Sequence, residues 1–341
     1  MPRRHLFSQD PPRICSIAGS DSGGGAGIQA DIKTILSLGG YAMSAVTALT
    51  AQSTQGVQGI HDVPAEFVKQ QLQTLQADIE IDAFKIGMLA RADIVVAVAE
   101  HLSSIKGSKS KVVLDPVMIS TSGSLLLQKS AVEHLIHQLL PQCDLLTPNL
   151  PEARTILLAA AGQPLDQATA DQSSSTDTES KDVQFKTVHD LIQAAKSILD
   201  LGPAAVLVKG GHMQLSRDVA MEAIQNLLGP SSEAYSEPAT PAFVGQGCRW
   251  KTNRQGDISV VLTEERPWSN LLRKRFASQG NDDRKVVVDV LCERDTAKGR
   301  KTTTLFVKPH LDATSTHGTG CTLSSAITTH LGAGESSQRA T

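Results

Sequence analysis

Ile14-Cys15-Ser16-Ile17-Ala18-Gly19-Ser20-Asp21-Ser22-Gly23-Gly24-Gly25-Ala26-Gly27-Ile28-Gln29-Ala30-Asp31-Ile32-Lys33-Thr34-Ile35-Leu36 runs from a short apolar stretch through small residues into apolar positions at helical spacing. A strand over 14–18, a glycine-rich loop and a helix over 26–38 make a βα unit. The rhythm repeats outward. Strands are predicted over 42–47, 83–86, 112–114, 145–147 and 205–208, and helices over 65–77, 94–102, 131–139 and 188–199. Such alternation points to an α/β fold, a doubly wound, mainly parallel sheet flanked by helices.

Composition agrees. The 341 residues are 40% hydrophobic and only 3% aromatic. With the 26 glycines the apolar share reaches about 48%, usual for a globular domain and too high for a disordered chain. The core must therefore be built from Ala, Val, Ile and Leu, as in helices laid on a buried parallel sheet. A net charge of −3 offers no general attraction to a phosphate backbone or an anionic membrane, so neither nucleic acid nor membrane is expected as a partner. The five cysteines, Cys15, Cys143, Cys248, Cys292 and Cys321, are odd in number, widely spaced and without a CxxC pair. That argues against a disulfide framework or a zinc site and fits a reducing, cytoplasmic setting. No stretch has the apolar length to span a bilayer.

Residues 1–12 read as a disordered lead and 13–334 as a single domain, followed by a tail over 335–341. Two stretches interrupt the rhythm. Residues 162–186 are rich in Ser, Thr, Asp and Gln and read as a polar surface insertion. Residues 214–284 hold both tryptophans and several prolines and read as an irregular insertion.

Two small-residue loops lead into predicted helices, where backbone amides and the helix dipole make an anion site. The first, 19–27, follows a strand but does not fit G-x-G-x-x-G, and no G-x-x-x-x-G-K-[ST] occurs, which removes the ordinary P-loop. Read alone, it is a tight turn. The second, His317-Gly318-Thr319-Gly320-Cys321-Thr322, places Cys321 in a first helical turn, where the dipole would lower the thiol pKa. A lone cysteine is otherwise a small buried hydrophobe.

These loops, with Thr47-Ala48-Leu49-Thr50-Ala51-Gln52, Lys85-Ile86-Gly87-Met88-Leu89, Leu114-Asp115-Pro116-Val117-Met118, Thr147-Pro148-Asn149-Leu150-Pro151-Glu152-Ala153 and Lys209-Gly210-Gly211-His212, resemble in kind and order the hydroxymethylpyrimidine/phosphomethylpyrimidine kinase family, a branch of the ribokinase-like superfamily. The resemblance implies phosphorylation of 4-amino-5-hydroxymethyl-2-methylpyrimidine and of its monophosphate, in thiamine biosynthesis, with ATP and Mg2+. Gln52, a donor beside an acceptor, would read the aminopyrimidine. Met88 and Val117 would wall the ring, with Gly19 and Ala26 allowing close approach to the backbone. The amides of Gly318, Thr319, Gly320 and Cys321 would cradle the moving phosphoryl group, and Cys321 would take the proton of the alcohol. Lys209 and Asn149 would face the ATP phosphates, and Glu152 and Asp115 the metal.

The alternatives are a pyridoxal kinase of the same fold and a catalytically silent binding protein. The second is suggested because the resemblance implies further helices beyond Cys321, whereas the chain offers one helix and then a polar stretch over 332–341. A C-terminus shortened in this way would expose apolar surface at about 25 cal/mol per Å². A homo-oligomer is expected only by family analogy.

Overall fold

The computed structural model describes residues 10–118, 127–165, 185–211, 213, 215–228, 248–255, 258–265, 285–295, 299–310 and 316–341. In chain order these form β1 (Arg13–Asp21), α1 (Gly27–Ser37), β2 (Tyr41–Ser53), β3 (Gly56–Asp62), α2 (Ala65–Asp78), β4 (Ala83–Ile86), α3 (Ala92–Ser104), β5 (Lys111–Leu114), α4 (Lys129–His134), β6 (Leu145–Leu146), α5 (Leu150–Ala160), α6 (Val188–Leu199) and β7 (Ala205–Val208). They continue with β8 (Leu215–Ser216), α7 (Arg217–Leu228), β9 (Cys248–Gln255), β10 (Ile258–Glu265), β11 (Lys285–Asp295), β12 (Arg300–Pro309), α8 (Thr319–Gly332) and α9 (Ser337–Ala340).

The strands form one sheet in the order β3-β2-β1-β4-β5-β6-β7-β11-β12-β10-β9, with β8 paired to β11. From β2 to β7 every pairing is parallel. Beyond β7 the chain reverses into antiparallel β11 and β12. Neighbouring residues on a strand point to opposite faces, and the burial follows that rule. Leu114, Leu146, Val206 and Val208 join a core with α2, α3, α5 and α6, whereas Val113, Leu145, Ala205 and Leu207 join Ile327 and Leu331 of α8 and Ala340 of α9. Ile35 of α1 packs with Ile14 and Ala83. The sheet is thus clothed on both faces, which is why its strands read as continuous apolar runs.

The predicted strands and helices form, the helix over 131–139 as the end of α4 followed by a π-helical turn over Leu135–Leu139, but the stretch read as irregular, 214–284, carries β8, α7, β9 and β10. Val260 and Val261 of β10 are both buried, whereas β9 is an edge strand of mainly polar residues. An edge strand needs little apolar content, so its signal lies in its pairing. Residues 1–9 of the lead, 166–184 of the polar insertion, and 229–247, 256–257 and 266–284 of the second stretch lie outside the described residues. Among the described residues no helix is long and apolar enough to cross a membrane.

One buried side chain makes the fold sensitive to acid. His101 of α3 is 5% exposed and meets Phe84 edge to face at 6.1 Å between ring centroids. Its Nε2 has no partner among the described residues, and burial pushes its pKa down. A neutral imidazole in the native state and an ordinary one in the unfolded chain mean that stability is lost as pH falls below about 6.5. The melting temperature is expected to drop between pH 7 and pH 5, and to drop less in His101→Phe. Equal slopes in the two proteins would show that His101 is not the group responsible.

Candidate active site

The first glycine-rich loop is tied up by Asp21 at the end of β1. Its carboxylate accepts the amides of Gly23 (2.8 Å), Gly25 (3.0 Å) and Ala26 (2.8 Å), and His317 Nε2 lies 3.0 Å away. Burial alone would raise the Asp21 pKa, but the hydrogen bonds from His317 and the three amides bring it below the ordinary carboxylate value. Gln29 of α1 holds the strand side, accepting the Asp21 amide and donating to Ser20 Oγ.

The second loop sits directly on the first. Gly318 has φ +76°, and a Cβ there would lie 1.8 Å from the Gly25 carbonyl oxygen, so only glycine fits. Gly318 is the residue before α8, whose leading amides, those of Gly320 and Cys321, have no partner inside the helix. Gln52, near the end of β2, reaches the same point, one end of its carboxamide 3.4 Å from His317 Nε2. Gln52 and the loop that opens α8 therefore meet at His317.

Beneath these loops runs a buried string of alternating charges. Asp31 of α1 and Lys85 of β4 are fully excluded from water and pair at 2.9 Å. Asp115, just beyond β5, pairs with Lys209, just beyond β7, at 2.8 Å. Asp115 Oδ2 and Lys209 Nζ each lie 3.4 Å from where a Cβ on Gly320 would stand, so the pair forms the floor of the loop. Burial opposes ionisation throughout. The charges of Lys209 and Lys85 nevertheless bring Asp115 below its ordinary pKa, and Asp115 and Glu152 raise that of Lys209. Lys85 is likewise raised by Asp31, Cys321 and Asp115 against its burial.

Asn149 and Glu152 form a capping box at the start of α5, with Asn149 Oδ1 accepting the Glu152 amide at 2.9 Å and Glu152 Oε2 accepting the Asn149 amide at 2.8 Å. Burial, with the charge of Asp115 adding and that of Lys209 opposing, pushes Glu152 up to about 7. Both candidate metal carboxylates are thus already engaged. Among the described residues no group of three or more His, Cys, Asp or Glu could hold a metal ion. The residues suit a cation that keeps its waters, such as Mg2+ carried on phosphates, and not an all-protein cage.

Of the remaining predicted residues, Met88 lays its Cε over Gly19, and Ala26 caps α1 with its amide on Asp21. Val117 is half-buried and donates its amide to the Asp115 carbonyl. Thr319 is exposed, its hydroxyl on the Thr316 carbonyl. Cys321 corrects the expectation drawn from the helix dipole. Its thiol pKa is raised, chiefly by burial, with the Asp115 and Asp31 carboxylates adding to the rise and Lys85 and a backbone hydrogen bond from Gly27 opposing it. Asp21, Asp31, Lys85 and His317 lie within the sequence motifs, yet their spacing assigns them no role. The available signal was a charged residue within an apolar strand, Ala83-Phe84-Lys85-Ile86.

A Glu152 carboxyl protonated in the native state is disfavoured by rising pH. Its contribution is complete below the unfolded value of about 4.3 and lost as pH climbs through about 7. Glu152→Gln is expected to lose less stability than the wild type between pH 5 and pH 8 in a melting-temperature series. Parallel curves would place the Glu152 pKa in the ordinary range.

The family model described as phosphomethylpyrimidine kinase matches residues 21–183 and 271–341. The hydroxymethylpyrimidine/phosphomethylpyrimidine kinase of Escherichia coli K12 is 44% identical over 198 residues, 58% of this chain and 65% of that protein. The protein of the same name from Mycobacterium tuberculosis is 45% identical over 206 residues, 60% of this chain and 66% of that protein. The chain thus spans just under two thirds of the length of the curated relatives it matches. A crystal structure of a phosphomethylpyrimidine kinase from Clostridium difficile superposes with a TM-score of 0.58 at 29% identity, covering 96% of this chain and 94% of that one. With seven-tenths or so of its length inside the family model and its two glycine loops packed on one another, this chain belongs to the phosphomethylpyrimidine kinase family.

Proposed function

We propose that this protein transfers the terminal phosphoryl group of ATP to the hydroxymethyl oxygen of 4-amino-5-hydroxymethyl-2-methylpyrimidine, and then phosphorylates the monophosphate. The observation that carries the reading is the meeting of a carboxamide able to read an aminopyrimidine, Gln52, with an anion loop, Gly318 to Cys321, through His317 at 3.4 Å.

In this reading Gln52 pairs with the exocyclic amine and the neighbouring ring nitrogen, while Met88 and Val117 wall the ring beside Gly19 and Ala26. Phosphoryl transfer needs little covalent help, so the protein mainly positions its reactants and stabilises charge. The Gly320 and Cys321 amides, aided by the α8 dipole, face the moving phosphoryl group, with Gly318 and Thr319 shaping the turn. Lys209 and Asn149 serve the nucleotide phosphates. Mg2+ bound with the nucleotide supplies charge neutralisation, and Glu152 and Asp115 would face its retained waters. Cys321 is the candidate acceptor for the alcohol proton. With its thiol pKa raised, only a small fraction is thiolate at neutral pH, so this step favours alkaline conditions.

The test is turnover of the purified chain with ATP, Mg2+ and the pyrimidine, with pyridoxal as the competing alcohol. Mono- and diphosphate products are expected, and folded protein without turnover would overturn the reading. Gln52→Ala is expected to raise KM for the pyrimidine about tenfold or more while sparing that for ATP. In the wild type kcat is expected to rise from pH 7 to pH 9, and in Cys321→Ala to be lower and flat. An unchanged rate in Cys321→Ala would remove the thiol from proton transfer and leave the amides as the catalytic element.

A further inference from the structure

Gln52 can serve as a reader only if its carboxamide faces one way, because its oxygen and nitrogen ends have the same shape and opposite chemistry. Three neighbours decide which. The nearer carboxamide end stands 3.4 Å from His317 Nε2, the other end 3.0 Å from Thr50 Oγ1, and that hydroxyl is 2.8 Å from the Ser20 carbonyl. His317 Nε2 is itself 3.0 Å from Asp21 Oδ2.

The proton on His317 follows from Asp21. That carboxylate is buried, accepts three loop amides and remains ionised, so it can only accept. The nitrogen facing it must be N–H. An Nε2–H cannot also accept from an amide nitrogen, so the end of Gln52 beside it is the oxygen. The other end is then the NH2 group, which donates to Thr50 Oγ1, while the Thr50 hydroxyl gives its own proton to the Ser20 carbonyl. No two donors face each other in this arrangement, and Gln52 keeps its oxygen open as an acceptor on the His317 side and one N–H open as a donor on the Thr50 side.

We propose that His317, held by Asp21, is a positioning residue that fixes the direction of the Gln52 carboxamide and thereby the direction in which the aminopyrimidine binds. This deepens the pyrimidine reading and rests on it. In the substrate the amine and the hydroxymethyl group sit on adjacent ring carbons, with the pairing ring nitrogen on the far side of the amine. An amine drawn to the acceptor on the His317 side therefore carries the hydroxymethyl group toward Gly318 and the anion loop. The reversed carboxamide would turn the ring over and point the alcohol away. The first-loop carboxylate thus chooses, through one imidazole, which edge of the ring meets the phosphoryl donor.

The test joins a spectrum to kinetics. Long-range 1H–15N spectra of imidazole-labelled protein, with the His317 signal identified by its loss in His317→Gln, are expected to show the Nε2–H tautomer. An Nδ1–H tautomer would overturn the proposal whatever the activity. His317→Phe is expected to raise KM for the pyrimidine and lower kcat, each about tenfold, with KM for ATP unchanged. His317→Gln, whose amide can place a donor near the Nε2 position, should recover most of the loss. The wild type should discriminate against the analogue lacking the 4-amino group, and that preference should collapse in His317→Phe. Full activity and discrimination in a folded His317→Phe would sink the assignment. Should that variant unfold, failure of His317→Gln to recover pyrimidine KM would do the same. A wild type that shows the Nε2–H signal but turns over no pyrimidine would instead count against the substrate reading.

Discussion

Four segments of the chain converge on a single carboxylate. Asp31 of α1 takes Lys85 Nζ of β4 at 2.9 Å, the Ser16 hydroxyl of β1 at 2.6 Å and the Ser325 hydroxyl of α8 at 2.7 Å, all buried. Placing an ion pair in a dry interior is not a cheap source of stability, because lost hydration offsets most of the attraction. What it provides is a fixed arrangement, since removing any one partner leaves an uncompensated group with no water to turn to. Here it fastens α8 beside α1. The turn that opens α8 is thereby set against the turn that opens α1, and the Gly318–Gly25 contact follows.

The same electrostatic logic runs on through Asp115, Lys209 and Glu152. Lys85 and Lys209 both bear on Asp115, and Asp115 bears on Glu152. Charge therefore alternates beneath the turn that opens α8 instead of accumulating, with free amides above and a balanced floor below. That balance also explains why Cys321 departs from what its helical position suggests. One macrodipole favours the thiolate, but burial together with the negative charges of Asp115 and Asp31 outweighs it.

The parallel half of the sheet was legible because strands buried on both faces have no choice but to be apolar. Ile14 to Ala18, Ala83 to Ile86 and Ala205 to Val208 announced themselves for that reason. β9 and β3 did not, being edge strands with a polar or exposed composition. α5 was hidden behind its own cap, since Asn149-Leu150-Pro151-Glu152 is at once a helix-start signature and part of a chemical motif. The individual loops of the site were visible, but their contact was not. Nothing in local spacing says that Asp21 meets His317, or that Lys85, between Phe84 and Ile86, spends its charge on α1.

Asp21 and His317 are 296 positions apart. Joining such distant positions carries a closure entropy that grows only slowly with length, but contacts of this kind form late and slow the search for the native state. The parallel strands between them can assemble from near neighbours, one βα unit at a time, as the chain emerges from the ribosome. A nascent chain would then possess most of its core before it possesses any cleft. Loss of the final docking step would bare the apolar face that Ile327 and Leu331 cover and strip Ser325 from Asp31, so the last helix to arrive completes the core and the loop contact in one event.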